Sequence, residues 1–142
     1  MNEEEKMTIC GIELSASEAR LVLLEGKKDD FILVDTKTRK IKLNDEADQN
    51  EVKAFRDSIF TFFREKQVSI IAIKKRGKKG AFSGGSVGFK LEGIIQLYDE
   101  CPVILVPPQT ISATMKRYEY TIPKEIMKYQ HIAFETAFTK LS

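Results

Sequence analysis

The fold of this chain is decided by one stretch, Thr8-Ile-Cys-Gly-Ile-Glu-Leu-Ser-Ala-Ser-Glu-Ala-Arg-Leu-Val-Leu-Leu-Glu-Gly26. Two apolar runs, residues 8–12 and 19–25, flank a polar segment with the composition of a turn. Each run has the length and the apolar content of a buried strand. The pattern therefore predicts two neighbouring strands. Glu13 falls where the first strand ends, so we expect its carboxylate to be held in a defined position.

The size and composition of the chain are those of one globular domain. Its 142 residues are 42% hydrophobic and 31% charged, which is enough apolar content to bury a core. No apolar run approaches the roughly 20 residues that span a bilayer, and residues 1–6 are acidic, unlike a signal peptide. We therefore expect a single domain over residues 1–142, located in the cytoplasm and without a membrane partner.

The residues that most often bind metals are few in this chain. Cys10 and Cys101 lie in apolar segments, without a second cysteine or a histidine at the spacing of metal ligands, and we interpret them as buried free thiols. His131 is the only histidine, so there is no zinc signature. The formal net charge of +2 is too small to identify a partner by itself. These observations predict no cofactor.

The first half of the chain continues with a strand, a helix and another strand. Residues 31–43 predict a third strand with a polar kink, and Asp48 precedes Glu51 at the spacing of a capping box. The helix that follows has apolar residues on one face, at Val52, Phe55, Ile59, Phe62 and Phe63. Residues 68–73 form an apolar run typical of a parallel strand that is covered on both faces.

The second half of the chain alternates helices and strands. A second helix begins near Ser86, a strand spans residues 103–106, and a short helix covers residues 110–116. Pro123 suits the first turn of a last helix, which runs to about Leu141. The predicted order is β-β-β-α-β-α-β-α. This is an α/β fold in which a mixed five-stranded sheet carries helices on both faces.

One segment, residues 74–86, is strongly basic and rich in glycine. Its cations, with one more in the following helix, are Lys74, Lys75, Arg76, Lys78, Lys79 and Lys90. Lysines supply point charges and glycines let backbone N–H groups approach an anion, so these residues are candidates for binding the phosphate backbone of DNA or RNA. A solvated surface loop is the other interpretation. A nucleoside triphosphatase is disfavoured, because Ser86-Val87 stands where the Walker motif requires lysine followed by serine or threonine.

The order of elements, with an acid closing the first strand, resembles the ribonuclease H-like fold and most closely the RuvC-type Holliday-junction resolvases. Gly11-Ile12-Glu13 is similar to their opening Gly-Ile-Asp, and residues 68–73 are similar to their fourth strand. Residues 84–98 resemble their Gly/Ser-rich entry and the helix after it, and residues 102–107 resemble their fifth strand with its terminating proline. The chain is also similar to small bacterial families of this superfamily whose function is not established.

The chain departs from that resemblance at the catalytic positions. Nucleases of this superfamily place carboxylates after the first strand, at the end of the fourth strand and on the last helix, where two divalent metals bind. By resemblance, the first position is Glu13, the second is Lys74, and the third is Glu135 with His131 one turn before it. Glu92 on the second helix is a further candidate acid. Because Mg²⁺ needs several oxygen ligands, the resemblance implies a catalytically degenerate domain without a tight metal site.

Three functions remain open at this point. The first is a degenerate domain that binds DNA or RNA through residues 74–90. The second is a metal-dependent nuclease that uses Glu13 and Glu135 with Mg²⁺. The third is a homodimeric scaffold without a nucleic-acid role, because two offset apolar stripes on the last helix suggest burial on more than one side. These stripes are Phe134, Phe138 and Leu141, and Ile126, Ala133 and Ala137.

The predicted fold also says where Glu13 and Lys74 should lie. We expect the first strand to be central, between the second and the fourth strands. Glu13 and Lys74 would then lie side by side at the carboxyl ends of adjacent parallel strands. Glu13 is either a residual metal ligand or the partner of a neighbouring lysine, for which Lys74 is the candidate.

Overall fold

A computed structural model of the chain describes residues 7–34, 37–77 and 85–142. Within these ranges six strands form one mixed sheet: β1 (Thr8–Ser15), β2 (Glu18–Lys27), β3 (Asp30–Leu33), β4 (Lys40–Lys42), β5 (Ile70–Lys74) and β6 (Val103–Val106). The helices are α1 (Gln49–Glu65), α2 (Gly85–Gln96), α3 (Pro108–Arg117) and α4 (His131–Phe138), and a 3-10 turn (Lys128–Gln130) leads into α4. None of the described helices has the length and apolar character needed to cross a membrane.

β1 lies at the centre of the sheet, whose strand order is β3-β2-β1-β5-β6, with β4 also paired to β2. As predicted for the first strand, it is antiparallel to β2 and parallel to β5. The predicted third strand, residues 31–43, is divided: β3 pairs with the end of β2 and β4 with its start. The described sheet therefore has six strands instead of five, because the two parts of the predicted strand pair with different parts of β2.

The last helix is shorter than predicted, since α4 begins at His131 and not near Pro123. Gln130 explains the difference. Its side-chain amide donates to the Leu21 carbonyl at 2.8 Å, and its side-chain oxygen accepts the Met127 N–H at 2.9 Å. These hydrogen bonds tie the turn before α4 to β2, so the chain is attached to the sheet before the helix starts.

The sheet separates two hydrophobic cores. Because side chains alternate between the faces of a strand, Cys10 and Ile12 face the core under α1 and α2, whereas Ile9 faces the core under α3 and α4. α4 packs directly over β1, where a Cβ on Gly11 would lie only 2.0 Å from the Ala133 carbonyl oxygen. The missing side chain at Gly11 therefore lets α4 approach the central strand.

The residues of both predicted apolar stripes are buried within the chain, and Ile126 and Leu141 among them lie outside α4. Phe134 and Phe138 contact Phe31 and Tyr120, with ring centroids 5.6–6.1 Å apart. The alanine stripe faces Gly11 on β1. The second core therefore accounts for burial on two sides of α4 without a partner chain, and the homodimer stays a prediction with no support from this helix.

Candidate nucleic-acid interface

β1 and β5 bring Glu13 and Lys74 to the same edge of the sheet. The register of this parallel pair places Ile12 beside Ile73, so Glu13 and Lys74 are neighbours one position further along. Ile12 and Ile73 face the core under α1 and α2, so the next residues face the side that α3 and α4 cover. The predicted side-by-side placement of Glu13 and Lys74 is therefore confirmed.

Glu13 is nevertheless paired with Arg20 and not with Lys74. Its Oε1 lies 3.4 Å from Nη1 of Arg20, and Nε of Arg20 donates to Oε2 of Glu18 at 2.9 Å. The hydrogen bond to Glu18 is the main cause that raises the pKa of Arg20, and the negative charge of Glu13 adds to it. The prediction that Lys74 is the partner of Glu13 is wrong, because the cross-strand neighbour on β2 takes that place.

Lys74 is left without a counter-charge. Among the residues that the structure describes, none forms a hydrogen bond or an ion pair with its ammonium group. The side chain is half-buried and lines a groove of about 430 Å³ between α3 and α4. Because the ammonium group is partly exposed and has no partner among the described residues, it can form a charge-assisted hydrogen bond with an anion that enters the groove.

The lining of the groove has a cationic part, called the rim below, and an apolar part, called the floor. Lys116, in the last turn of α3, supplies a second ammonium group, and Ser112 one turn earlier supplies a hydroxyl. The apolar part of the lining consists of Pro108, Ile111, Met115, Tyr120 and Ile132. Glu135 from α4 contributes a carboxylate, which forms no ion pair with Lys74 or Lys116. The groove can therefore offer two positive charges, one carboxylate, one hydroxyl group and an apolar surface to one ligand.

The three predicted acids are divided between the two faces of the sheet. Glu135 lies on α4, on the face to which Glu13 points, whereas Glu92 lies on α2 on the other face. His131 is the first residue of α4. In the described ranges, no three His, Cys, Asp or Glu side chains come together in a way that could hold a metal ion. The structure thus brings Glu13 and Glu135 to one face without assembling a set of three carboxylates.

Arg76 folds back onto the start of α2. Its Nη1 donates to the Leu14 carbonyl at 2.8 Å, and its Nη2 donates to the Gly85 carbonyl at 3.4 Å. The guanidinium carbon lies 5.2 Å from the centre of the Phe89 ring, and a Cβ on Gly88 would be 2.2 Å from the same carbon. Arg76 therefore joins the end of β1 to the first turn of α2, and this role in packing competes with phosphate binding.

The other predicted cations occupy different places. Lys75 follows β5 directly and is exposed. Lys90 on α2 donates to the Glu46 carbonyl at 2.6 Å, on the face of the sheet opposite α4. Lys78 and Lys79 lie outside the described residues. Of the predicted cations that the structure describes, Lys74 and Lys75 are the two that are available to a ligand at the carboxyl edge.

Sequence reasoning missed Arg20, Ser112 and Lys116. The pairing of Arg20 with Glu13 follows from the two-residue turn at residues 16–17, which sets the register of β1 and β2. The length of this turn can be read from the sequence. Ser112 and Lys116 are four residues apart on a helix and therefore share a face, but no local pattern indicates that this face meets α4.

Comparison with known proteins identifies the family. The sequence profile of the family described as "Protein of unknown function (DUF3010)" matches residues 7–140. The chain belongs to this family. A comparison with curated protein sequences finds no match.

The fold of this DUF3010 chain is similar to that of RuvC from Thermus thermophilus. A RuvC structure in complex with a Holliday junction substrate superposes with a TM-score of 0.72 at 13% sequence identity, over 94% of this chain and 92% of that chain. A second RuvC structure has a TM-score of 0.64 at 16% identity, with the same coverage of both chains. The RuvC-like, ribonuclease H-like fold predicted from the order of elements is therefore confirmed.

Proposed function

We propose that this DUF3010 chain is a catalytically degenerate RuvC-like domain that binds nucleic acid at the carboxyl edge of its sheet. The observation that carries the proposal is Lys74, a half-buried cation without a counter-charge at the end of a central strand. In open α/β sheets, ligands bind outside the carboxyl ends of the strands. One RuvC structure of this fold is a complex with a Holliday junction substrate, so the fold is compatible with nucleic-acid binding.

The residues around Glu13 do not suit a two-metal nuclease centre. Mg²⁺ requires about six ligands, mostly oxygen, in near-octahedral geometry. Arg20 already forms an ion pair with Glu13, and Lys74 would repel a cation. Glu92 lies on the other face of the sheet, so Glu135 is the one other predicted acid on this face. The further carboxylate near Glu13, that of Glu18, is already bonded to Arg20. We therefore propose binding without metal-dependent hydrolysis.

The cations at this edge suit the phosphate groups of a nucleic-acid backbone. Lys75 is exposed, and Lys74 and Lys116 line the groove. Lysine ammonium groups act on phosphates as point charges, which favours binding without strong dependence on base sequence. Lys78 and Lys79 follow in the sequence and add two positive charges to this segment of the chain.

Fluorescence anisotropy tests this proposal. Labelled single-stranded, duplex and branched DNA, and single-stranded RNA, are titrated with the protein at low salt. We expect Lys74→Met and Lys75→Ala each to weaken binding to all bound nucleic acids by a similar factor, because a phosphate contact carries no sequence information. The matched control is Lys53→Ala, which removes an exposed lysine from α1 on the other face of the sheet. The proposal fails if none of the nucleic acids binds to the unmodified protein.

A nuclease assay with Mg²⁺ or Mn²⁺ tests separately whether the domain lacks catalytic activity. We expect no cleavage of the same nucleic acids by the unmodified protein. Metal-dependent cleavage that is abolished by Glu13→Gln and by Glu135→Gln would contradict the loss of catalysis, while the binding result would be unaffected.

A further inference from the structure

The apolar floor of the groove between α3 and α4 has no role in binding a backbone at the rim. It is formed chiefly by Ile111, Met115, Tyr120 and Ile132, and it lies beside the ammonium groups of Lys74 and Lys116. The groove volume of about 430 Å³ falls in the range of roughly 300–1,000 Å³ that is typical of pockets for small ligands. The groove is therefore large enough for a compact ligand that is anionic at one end and apolar at the other.

We propose that this groove binds a single unpaired nucleotide. Lys74 and Lys116 contact its phosphate, and the base packs against Met115 and Tyr120. The inference rests on the proposed function for its nucleic-acid context. It adds the class of nucleic acid that is bound, namely strands in which a base is free of its stack.

The one aromatic ring among the lining residues, that of Tyr120, is held in place by its neighbours. The Tyr120 ring lies 6.1 Å from the Phe134 ring and 5.6 Å from the Phe138 ring, and both phenylalanines are fully buried. A ring held by such neighbours loses little conformational entropy when a base packs against it. Stacking on an aromatic side chain accepts any base, because every base has a π-face.

The polar groups in the lining match the rest of a nucleotide. Glu135 accepts hydrogen bonds, so it suits ribose hydroxyls or the amino group of a base, as carboxylates do when they read cytosine. Ser112 can donate to a phosphate or sugar oxygen. The carboxylate of Glu135 repels an anion, but the two lysines give the groove a net positive charge.

A continuous duplex cannot place a base in this groove. Its bases are stacked and paired, so it presents mainly phosphate and sugar to the lysines at the rim. An unpaired nucleotide can place its phosphate at the rim and its base on the floor, which is how single-stranded nucleic acids are commonly recognised. The protein should therefore favour single-stranded or gapped nucleic acid over continuous duplex.

Calorimetric titration with small ligands tests the groove directly. The probes are the four ribonucleoside 5′-monophosphates, ribose 5-phosphate and inorganic phosphate. We expect the nucleotides to bind about tenfold more tightly than ribose 5-phosphate, because base stacking contributes about this factor. Ser112→Phe should abolish nucleotide binding, since Ser112 is exposed on α3 and a large side chain there fills the groove without replacing a core residue. The matched control is Ala113→Phe, at an exposed position on α3 that does not line the groove.

The outcomes separate this inference from the proposed function. Equal binding of nucleotides and ribose 5-phosphate, or equal loss in the two phenylalanine variants, would overturn the nucleotide site. Binding of oligonucleotides without any binding of nucleotides would also overturn it, while the proposed function would stand. Nucleotide binding that Ser112→Phe abolishes would support the site even if no DNA or RNA bound, and the proposed function alone would then fail.

Discussion

Glu13, two residues before the end of β1, forms an ion pair with Arg20, its direct neighbour across the antiparallel β1–β2 pair, with 3.4 Å between Oε1 and Nη1. The two side chains are 19% and 27% exposed, respectively, so the pair is partly shielded from water. Lys74 lies beside Glu13 on the parallel strand and has no such partner. The carboxylate of Glu13 is thus satisfied by β2, and the ammonium group of Lys74 is free to meet an anion.

A double-mutant cycle measures the Glu13–Arg20 ion pair. We expect Glu13→Gln and Arg20→Gln to show a coupling of about 0.5–1 kcal/mol in the free energy of unfolding, as is typical of partly exposed pairs. Urea unfolding of the single and double variants gives this value. A second cycle with Glu13→Gln and Lys74→Met should show a smaller coupling, because the two neighbouring side chains form no ion pair. Coupling in the second cycle that equals or exceeds the first would contradict the assignment of Arg20 as the partner.

Gly11→Ala tests the packing of α4 on β1. The new Cβ would lie 2.0 Å from the Ala133 carbonyl oxygen and 2.6 Å from the Ala137 nitrogen. We expect a loss of at least about 3 kcal/mol in the free energy of unfolding, because backbone atoms must move to relieve the overlap. The control is Gly93→Ala, since a Cβ there has no atom within 4 Å. It should stabilise the protein by about 0.5–1 kcal/mol through helix propensity. Similar unfolding midpoints for the two variants would refute the close approach of α4.

Gly88→Ala distinguishes a structural role of Arg76 from a role in phosphate binding. The added methyl group displaces the guanidinium without changing the net charge, since the two would be 2.2 Å apart. Arg76→Gln should destabilise the protein by about 1–3 kcal/mol in chemical unfolding, because the hydrogen bond to the Leu14 carbonyl is lost. Gly88→Ala should cost less, because the guanidinium is the end of a flexible side chain and alanine favours the helix. Both should leave the salt dependence of nucleic-acid binding unchanged. If Arg76 contacts phosphate, Arg76→Gln will reduce that salt dependence and Gly88→Ala will not.

The placement of strands was predictable because it depends on local hydrophobic pattern. The apolar runs of β1, β2 and β5 are visible in short segments of the sequence. So is the Asp48 cap, whose carboxylate accepts the Asn50 N–H at 2.9 Å. The division of the third strand and the late start of α4 depend on tertiary hydrogen bonds. One example is the bond from Gln130 to the Leu21 carbonyl. Such bonds join residues far apart in the chain and leave no periodic signal.

The candidate site was predictable only where strand order determined it. The register of β1 and β5 follows from the fold, so the nearness of Glu13 and Lys74 could be predicted. The groove depends on how α3 meets α4, which is set by packing between distant elements, and Lys116 could not be assigned to it from the sequence. Arg76 folds back over Gly88, which has no side chain to block it. The basic composition of the segment gives no indication of this contact.

The two thiols should react slowly in the native protein. Burial raises the pKa of Cys10 and, to a smaller extent, that of Cys101, and the neighbouring thiol adds to the effect at Cys10. A raised pKa keeps a thiol protonated at pH 8, and the thiolate is the reactive form. In a time course with iodoacetamide followed by mass spectrometry, we expect Cys101 to be modified first and Cys10 only after unfolding. Modification of Cys10 at the same rate in native and urea-unfolded protein would contradict its burial.

The salt dependence of nucleic-acid binding tests the central claim most directly, namely that free lysines at the carboxyl edge neutralise phosphates. Anisotropy titrations with single-stranded DNA between 50 and 200 mM salt give the slope of log affinity against log salt concentration, and we expect a linear decrease. Lys74→Met should make this slope shallower by about 0.7, the value for one phosphate contact with a single strand. Lys78→Ala combined with Lys79→Ala should reduce it further, whereas Lys53→Ala should leave it unchanged. A slope near zero for the unmodified protein, or the same slope in Lys74→Met and Lys53→Ala, would contradict the account.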